Sequence, residues 1–129
     1  MPSKKILVID DEVDFLSFIK ETLELRGFNI VTASNAIAAG IELASKPPAL
    51  ILMDLKMPGI DGLQACQAIR SNPVTKDIPI IAVSALADES YKRKARKLKV
   101  VEYFVKPVNV ENLIKKINEV LNVGQPDIR

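Results

Sequence analysis

Short apolar segments alternate along the chain with longer segments in which apolar residues recur every three or four positions. The short segments are rich in β-branched residues, and four of the five are almost continuously apolar. This pattern is typical of strands that are covered on both faces of a parallel sheet. The strands are predicted at residues 5–9, 29–33, 50–53, 78–83 and 100–105.

The longer segments have the spacing of amphipathic helices. In the first of them, Leu16, Ile19 and Leu23 fall three or four positions apart, and Gly27 behind them is a typical helix stop. The same spacing recurs after each of the other apolar runs. Helices are predicted at residues 13–26, 35–44, 62–70, 88–98 and 110–121.

The order of the elements is strand then helix, repeated five times. Short alternating units of this kind favour a doubly wound, flavodoxin-like α/β fold with a parallel sheet, whereas an eight-fold barrel needs about twice this length. The 129 residues match one domain, which we expect to span residues 1–123. Residues 124–129 are expected to form a polar tail or the stump of a linker.

Composition excludes several classes of protein. A formal net charge of +2 is too mild to indicate binding to nucleic acid or to an anionic membrane. No apolar stretch approaches the roughly 20 residues of a membrane-spanning helix. The single cysteine, Cys66, cannot form an internal disulfide, so the expected location is the cytoplasm. The absence of histidine excludes histidine-based catalysis and histidine metal ligands on this chain.

Polar residues follow the apolar runs at the points where four strands should end. Ligands of an open parallel sheet bind at the carboxyl ends of its strands, so these positions are candidates for a site. They are Asp10, Asp11 and Glu12 after the first strand, Asp54 after the third, Ser84 after the fourth and Lys106 after the fifth.

Each of these residues also has a purely local interpretation. Asp10 or Asp11 would serve as a helix N-cap, and Asp54 would serve to begin a turn. Ser84 would cap the next helix, and Lys106 would be solvated. Four polar strand ends at one edge of a sheet are harder to explain by capping than by a common site.

The charges of this group indicate its chemistry. Crowded carboxylates raise each other's pKa unless a cation neutralises them. Oxygen ligands without histidine or cysteine suit a hard ion, Mg²⁺ or Mn²⁺, and such an ion favours binding of a phosphoryl group. Lys106 would then pair with Asp54 or with the phosphoryl group, and the Ser84 hydroxyl would donate to a phosphoryl oxygen.

Four motifs carry a resemblance to a known family. They are "ILVIDDE" at 6–12, "LILMDLKMPGIDG" at 50–62, "IIAVSA" at 80–85 and "YFVKP" at 103–107. In this order and at these intervals, they resemble the response-regulator receiver domain of two-component signalling, and in particular its stand-alone, chemotaxis-regulator-like form. The resemblance covers nearly the whole chain.

The resemblance implies a sheet of order 2-1-3-4-5 and a set of residue roles. Asp54 would accept a phosphoryl group from a phosphohistidine on a sensor histidine kinase or a histidine phosphotransfer protein. Asp10, Asp11, Asp54 and the backbone carbonyl of Lys56 would hold Mg²⁺. The chain would be a phosphoacceptor that catalyses only its own phosphorylation and dephosphorylation, and not an enzyme in the usual sense.

The resemblance also implies how the signal is passed on. Ser84 and Lys106 would bind the phosphoryl group, and Tyr103 would turn inward when Ser84 moves. The face formed by the fourth helix, fifth strand and fifth helix would then change for a downstream partner, and homodimers through this face are possible. The Lys106–Pro107 bond would be cis.

Several positions call for a separate interpretation. Lys99 stands where the family usually has glycine, and because a lysine in a left-handed cap is strained, we expect an altered end to the fourth helix. Asp61 is expected to cap the third helix, and Pro58-Gly59 is a turn signal.

Six bases fall within residues 92–99. A solvated outer face is the favoured interpretation, and a docking patch is the other.

Two other functions remain open. The first is an adaptor of the same fold that works without phosphorylation, although such proteins usually lack a key acid or the lysine, and this chain lacks none. The second is a phosphatase or phosphotransferase with an aspartyl nucleophile. Those enzymes typically carry a second acid two residues after the nucleophile, where this chain has Lys56.

Overall fold

The structure is a computed structural model that describes residues 4–122, so the tail predicted at 124–129 lies outside the described residues. Five strands form the main sheet, and a two-residue antiparallel ribbon pairs Lys56–Met57 with Ile60–Asp61. The sheet strands are β1 Lys5–Ile9, β2 Asn29–Ala33, β3 Leu50–Met53, β4 Ile80–Ser84 and β5 Val100–Val105. The helices are α1 Val13–Glu24, α2 Ala36–Ser45, α3 Gly62–Ser71, α4 Glu89–Lys97 and α5 Val110–Asn122.

All neighbouring strands of the main sheet are parallel, and their order is β2-β1-β3-β4-β5, as predicted. In the register, Ile9 lies beside Met53, and Met53 lies beside Ala82. On the next pair of strands, Ser84 lies beside Val105. The residues that follow these positions are therefore delivered to the same edge of the sheet.

The apolar runs are continuous because the two faces of the sheet are both buried. Along β1, Ile6 and Val8 pack with residues of α1 and α5, whereas Leu7 and Ile9 pack with residues of α2, α3 and α4. Alternate side chains of a strand point to opposite faces, so a strand covered by helices on both sides has no polar face. This packing is the physical basis of the doubly wound arrangement.

The predicted element boundaries are correct to within two residues. β4 begins at Ile80 instead of residue 78, since Pro79 has no N–H to contribute to the ladder. The helix caps follow the expected chemistry: the Asp61 carboxylate accepts the N–H groups of Leu63 and Gln64 at 3.0 and 3.4 Å, which confirms it as the cap of α3. The Lys106–Pro107 bond is cis, as predicted.

The expectation of an altered end to α4 is wrong. The helix ends at Lys97, and Lys99 takes the left-handed conformation with φ of 63°, as a glycine would. Its N–H donates to the Arg96 carbonyl at 2.9 Å. The guanidinium of Arg70, on α3, donates to the carbonyls of Leu98 and Lys99 at 2.9 and 3.2 Å, and these contacts hold the turn in place.

Candidate functional site

The carboxyl edge of the sheet brings together two buried acids and a lysine. Asp10 is 1% exposed and Asp54 is 6% exposed, and they follow the adjacent strands β1 and β3. The Nζ atom of Lys106, which follows β5, lies 2.7 Å from an oxygen of Asp10 and 3.4 Å from an oxygen of Asp54. These three strand ends therefore meet, as the strand-end argument predicted.

Backbone hydrogen bonds fix the two buried carboxylates. The N–H of Asp10 donates to the Ala33 carbonyl, and the N–H of Asp54 donates to the Ile9 carbonyl, so each residue is still tied to the neighbouring strand. One oxygen of Asp10 accepts the N–H of Glu12, and one oxygen of Asp54 accepts the N–H of Lys56, both at 2.9 Å. The second oxygen of each carboxylate remains directed at Lys106.

The segment behind Asp54 turns back tightly on itself. Pro58 and Gly59 link the two halves of the short ribbon, and Gly59 has φ of 73°, which confirms the predicted turn. Gly62 then returns to donate its N–H to the Leu55 carbonyl at 3.2 Å. A Cβ on Gly62 would lie 2.4 Å from the Leu55 Cα and carbonyl oxygen. A side chain at this position would therefore displace the backbone next to Asp54.

The charged side chains of the pocket change each other's pKa values. Burial raises the pKa of the Asp10 carboxyl, and the hydrogen bond from Lys106 only partly offsets this effect. Burial alone would lower the pKa of Lys106, but its hydrogen bonds to Asp10 and Glu12 outweigh that effect and leave the pKa above its usual value. The ammonium also lies 4.3 Å from the centre of the Phe15 ring. Lys106 is therefore held in its charged form.

The acids present fit a divalent cation. Carboxylate oxygens of Asp10, Glu12 and Asp54 all lie within 4.8 Å of one another, and oxygen donors of this kind suit Mg²⁺ or Mn²⁺. The predicted ligand Asp11 is exposed and is not part of this triad, within the part of the chain that the structure describes. Lys56, whose backbone carbonyl is a predicted ligand, donates its N–H to the Asp54 carboxylate.

Glu12 was one of the candidate residues at the end of β1, but no role in the site was predicted for it. Its carboxylate lies 2.6 Å from the Lys106 ammonium, although the side chain is 61% exposed. The sequence signal was its position directly after Asp10 and Asp11 at the end of β1. Sequence alone does not tell which acids of such a run turn towards the pocket.

Ser84 and Tyr103 meet at the loop that follows β4. Ser84 is fully buried, and its Oγ accepts the N–H of Leu86 at 3.3 Å. The Tyr103 hydroxyl donates to the Leu86 carbonyl at 2.9 Å. Burial raises the pKa of Tyr103, while a hydrogen bond with Ser84 acts in the opposite direction. Ser84 and Tyr103, the two residues predicted as a switch, therefore both hydrogen-bond Leu86.

Comparison with known proteins identifies the family. A model of the response regulator receiver domain matches residues 6–118. The chain is 34% identical over 118 residues to Protein PilH of Pseudomonas aeruginosa, covering 91% of this chain and 97% of PilH. A two-component response regulator from Clostridium difficile has a crystal structure that is 28% identical, with a TM-score of 0.89, and the match covers 96% of this chain and all of that one.

Other relatives are longer than the part they share with this chain. The phosphate regulon transcriptional regulatory protein PhoB of Pseudomonas aeruginosa is 31% identical over 126 residues, which cover 98% of this chain and 55% of PhoB. The chain thus spans about half the length of such curated relatives. The family match, the sheet order and the buried acids at its edge lead to one conclusion: the chain belongs to the response regulator receiver domain family.

Proposed function

We propose that this receiver domain is a phosphorylation-driven signalling switch in which Asp54 accepts a phosphoryl group from a phosphohistidine. The donor would be a sensor histidine kinase or a histidine phosphotransfer protein. The observation that supports this function best is the contact of the Lys106 ammonium with both buried acids, Asp10 and Asp54, at the sheet edge. A capping role for these residues would not require a shared cation.

In the proposed reaction, an Asp54 oxygen attacks phosphorus. A P–O bond forms as the P–N bond of phosphohistidine breaks, and the imidazole nitrogen leaves with the electron pair. Lys106 would pair with an oxygen of the transferred group, since its charge is already held at this place. The Ser84 oxygen accepts the Leu86 N–H, and the Ser84 hydroxyl would donate its proton to another phosphoryl oxygen in place of its hydrogen bond with Tyr103.

Asp10, Asp11, Asp54 and the carbonyl of Lys56 are proposed to hold Mg²⁺. When bound, the ion would neutralise the carboxylates and favour the phosphoryl oxygens. Because carboxylate oxygens of Asp10, Glu12 and Asp54 lie close together, Glu12 is a second candidate for the ligand role proposed for Asp11. Separate Asp11→Asn and Glu12→Gln proteins distinguish the two: we expect Asp11→Asn to lose most of the Mg²⁺ affinity and Glu12→Gln to keep most of it. The reverse result assigns the ligand to Glu12.

The signal is proposed to leave through α4, β5 and α5. A phosphoryl group that draws the Ser84 hydroxyl towards it would move the loop at Leu86, which the Tyr103 hydroxyl holds. A downstream partner that prefers one position of this face would then shift the population between the two states.

The test of the site uses a small-molecule phosphodonor. Wild-type protein, incubated with acetyl phosphate and Mg²⁺, is expected to gain the mass of one phosphoryl group, and Asp54→Asn protein is expected to gain none. Asp61→Asn is the matched control, since Asp61 is a nearby acid that caps α3 and is expected to leave phosphorylation unchanged. Uptake of phosphate by Asp54→Asn protein would refute the assignment of Asp54.

A separate assay addresses the enzymatic alternative. We expect no turnover of p-nitrophenyl phosphate, because Lys56 stands where a phosphatase of this kind would need an acid for the leaving group. Multiple turnovers that disappear in the Asp54→Asn protein would favour the phosphatase instead.

Of the described helices, none combines the length and the apolar character that crossing a membrane requires.

A further inference from the structure

Helix α4 and the turn behind it carry a concentrated positive charge. Five exposed cations form what we call the α4 basic surface: Arg93, Lys94, Arg96, Lys97 and Lys99. Among the described residues, none of the five forms an ion pair, whereas Lys92 on the same helix lies 3.9 Å from Glu89. Residues 88–99 carry six bases and two acids, while the whole chain has a net charge of +2, so the remainder is net negative.

The stability of the helix does not explain this concentration. Cations in the last turn favour the helix dipole, and Lys94, Arg96 and Lys97 occupy that turn. However, Arg93 lies outside it and faces Lys97 one turn later, and like charges at this spacing are unfavourable. Arg93 and Lys97 both point away from the buried Ala95. The arrangement therefore repels itself until an anionic partner neutralises it.

The surroundings of the surface limit the kind of partner. Glu89 and Glu102 line the groove of about 230 Å³ between α4 and β5, together with Lys92, Tyr103 and Arg96 of the basic surface. On α5, Lys116 is already paired with Glu102 and Glu119, at 3.6 and 3.5 Å. The α4 basic surface thus covers one helix of nine residues, about 13 Å long, and the turn behind it, with acids at its border.

A duplex nucleic acid is a poor match for a positive surface that is this small and has acids beside it. Specific protein–DNA interfaces bury on the order of 1,000 Å² or more of protein surface and are strongly positively charged. Here the phosphate backbone would meet Glu89 and Glu102, which line the groove beside α4. An acidic polypeptide segment has the size of one helix, and it can place its carboxylates opposite the cations alone.

We propose that the α4 basic surface is the docking site for an acidic segment of a partner protein. The site is next to the switch: the Lys92 ammonium lies 5.8 Å from the centre of the Tyr103 ring, and Tyr103 holds Leu86. The charge of the surface is independent of phosphorylation, whereas control of docking by phosphorylation rests on the function proposed above.

The test uses the whole chain and a fluorescein-labelled peptide of repeated Glu-Glu-Ala units, with a Gln-Gln-Ala peptide as the probe control. Binding is measured by anisotropy, and its location by amide chemical shifts. The acidic peptide is expected to shift amides of α4, and the double variant Arg93→Gln/Lys97→Gln is expected to bind about tenfold more weakly. The matched control Lys46→Gln/Lys115→Gln removes two exposed cations elsewhere and is expected to bind as wild type does.

Three results would overturn the docking site. They are equal weakening in both double variants, shifts that lie away from α4, and tighter binding of a labelled DNA duplex than of the acidic peptide. Intact-mass measurement of the same samples after acetyl phosphate separates the two proposals. If Asp54 is phosphorylated but the peptide does not shift amides of α4, the docking site alone is refuted. If the peptide shifts amides of α4 but the protein gains no phosphoryl group, the docking site is supported and the switch is refuted.

Discussion

The ammonium of Lys106 hydrogen-bonds the carboxylate of Glu12 at 2.6 Å, so a cation of the chain itself lies among the three carboxylates that are suited to a metal ion. The same ammonium contacts Asp10 at 2.7 Å and Asp54 at 3.4 Å. Whether Asp11 or Glu12 completes the ligand set, a divalent ion would share Asp10 and Asp54 with Lys106, and two cations on the same carboxylates repel each other. Lys106 and a divalent ion are therefore expected to oppose each other's binding.

Replacement of Lys106 by methionine should strengthen Mg²⁺ binding. Removal of the neighbouring positive charge frees the carboxylates for the ion, and an increase in affinity of about tenfold is expected. Calorimetric titration with Mg²⁺ measures the change. Lys116→Met is the control, because Lys116 pairs with Glu102 and Glu119 away from the pocket and its loss should leave the affinity as it is. Unchanged or weaker binding by Lys106→Met would show that the ammonium and the ion do not compete.

The approach of Gly62 to Leu55 should make Gly62 irreplaceable. The neighbours of an added Cβ are backbone atoms of Leu55 at 2.4 Å, so the chain beside Asp54 has to move. We expect Gly62→Ala to lower the free energy of unfolding by about 3 kcal/mol or more, measured by urea denaturation.

Gly40→Ala is the matched control for this substitution. Gly40 lies within α2, and an added Cβ meets nothing within 4 Å. Alanine is favoured over glycine inside a helix, so this variant should gain about 0.5–1 kcal/mol. If both variants were equally stable, the close approach of Gly62 to Leu55 would not exist in solution.

The sequence predicted the architecture well because burial on both faces produces a recognisable pattern. Runs such as the one in β3 are apolar throughout, as expected of a strand covered by helices on both sides. The meeting of Asp10, Asp54 and Lys106 followed from the same reasoning, since the ends of parallel strands share one edge. Both inferences depend on topology and not on side-chain torsions.

The features that sequence did not reveal depend on torsions and on distant contacts. Asp11 and Glu12 are adjacent acids, and their backbone and side-chain angles decide that Glu12 reaches Lys106. The left-handed Lys99 is supported by Arg70, which lies 29 residues away in the chain and donates to its carbonyl. A local rule for residue 99 contains no information about that arginine, so the prediction of an altered helix end failed.

Substitution of Lys99 by glycine should stabilise the domain. A residue with a Cβ at φ of 63° is strained by roughly 1–2 kcal/mol, and glycine removes this strain at a smaller cost in chain entropy. A net gain of about 1 kcal/mol in the free energy of unfolding is expected, measured by thermal and urea denaturation. Lys97→Gly, two residues earlier and still helical, should instead lose about 1 kcal/mol. A loss in both variants would mean that Lys99 is not strained.

The thiol of Cys66 should give the domain a specific sensitivity to alkaline pH. Cys66 is fully buried on α3, and burial raises its pKa from 9.0 to about 11. Between these values the folded state holds the proton and the unfolded state releases it, so the free energy of unfolding falls as pH rises above about 9. The thiolate is also the reactive form, so Cys66 should react with Ellman's reagent at pH 8 only when the domain unfolds.

Comparison of wild type with Cys66→Ala isolates this contribution. The alanine protein is expected to start less stable because of the lost packing, but its free energy of unfolding should fall less steeply between pH 9 and pH 11, by on the order of 2 kcal/mol. Other groups that make stability depend on pH in this range, such as Lys106, which loses its proton there only in the unfolded chain, are present in both proteins and cancel in the difference. Parallel pH profiles would show that the thiol titrates in the folded protein as it does in the unfolded chain, which is incompatible with its complete burial.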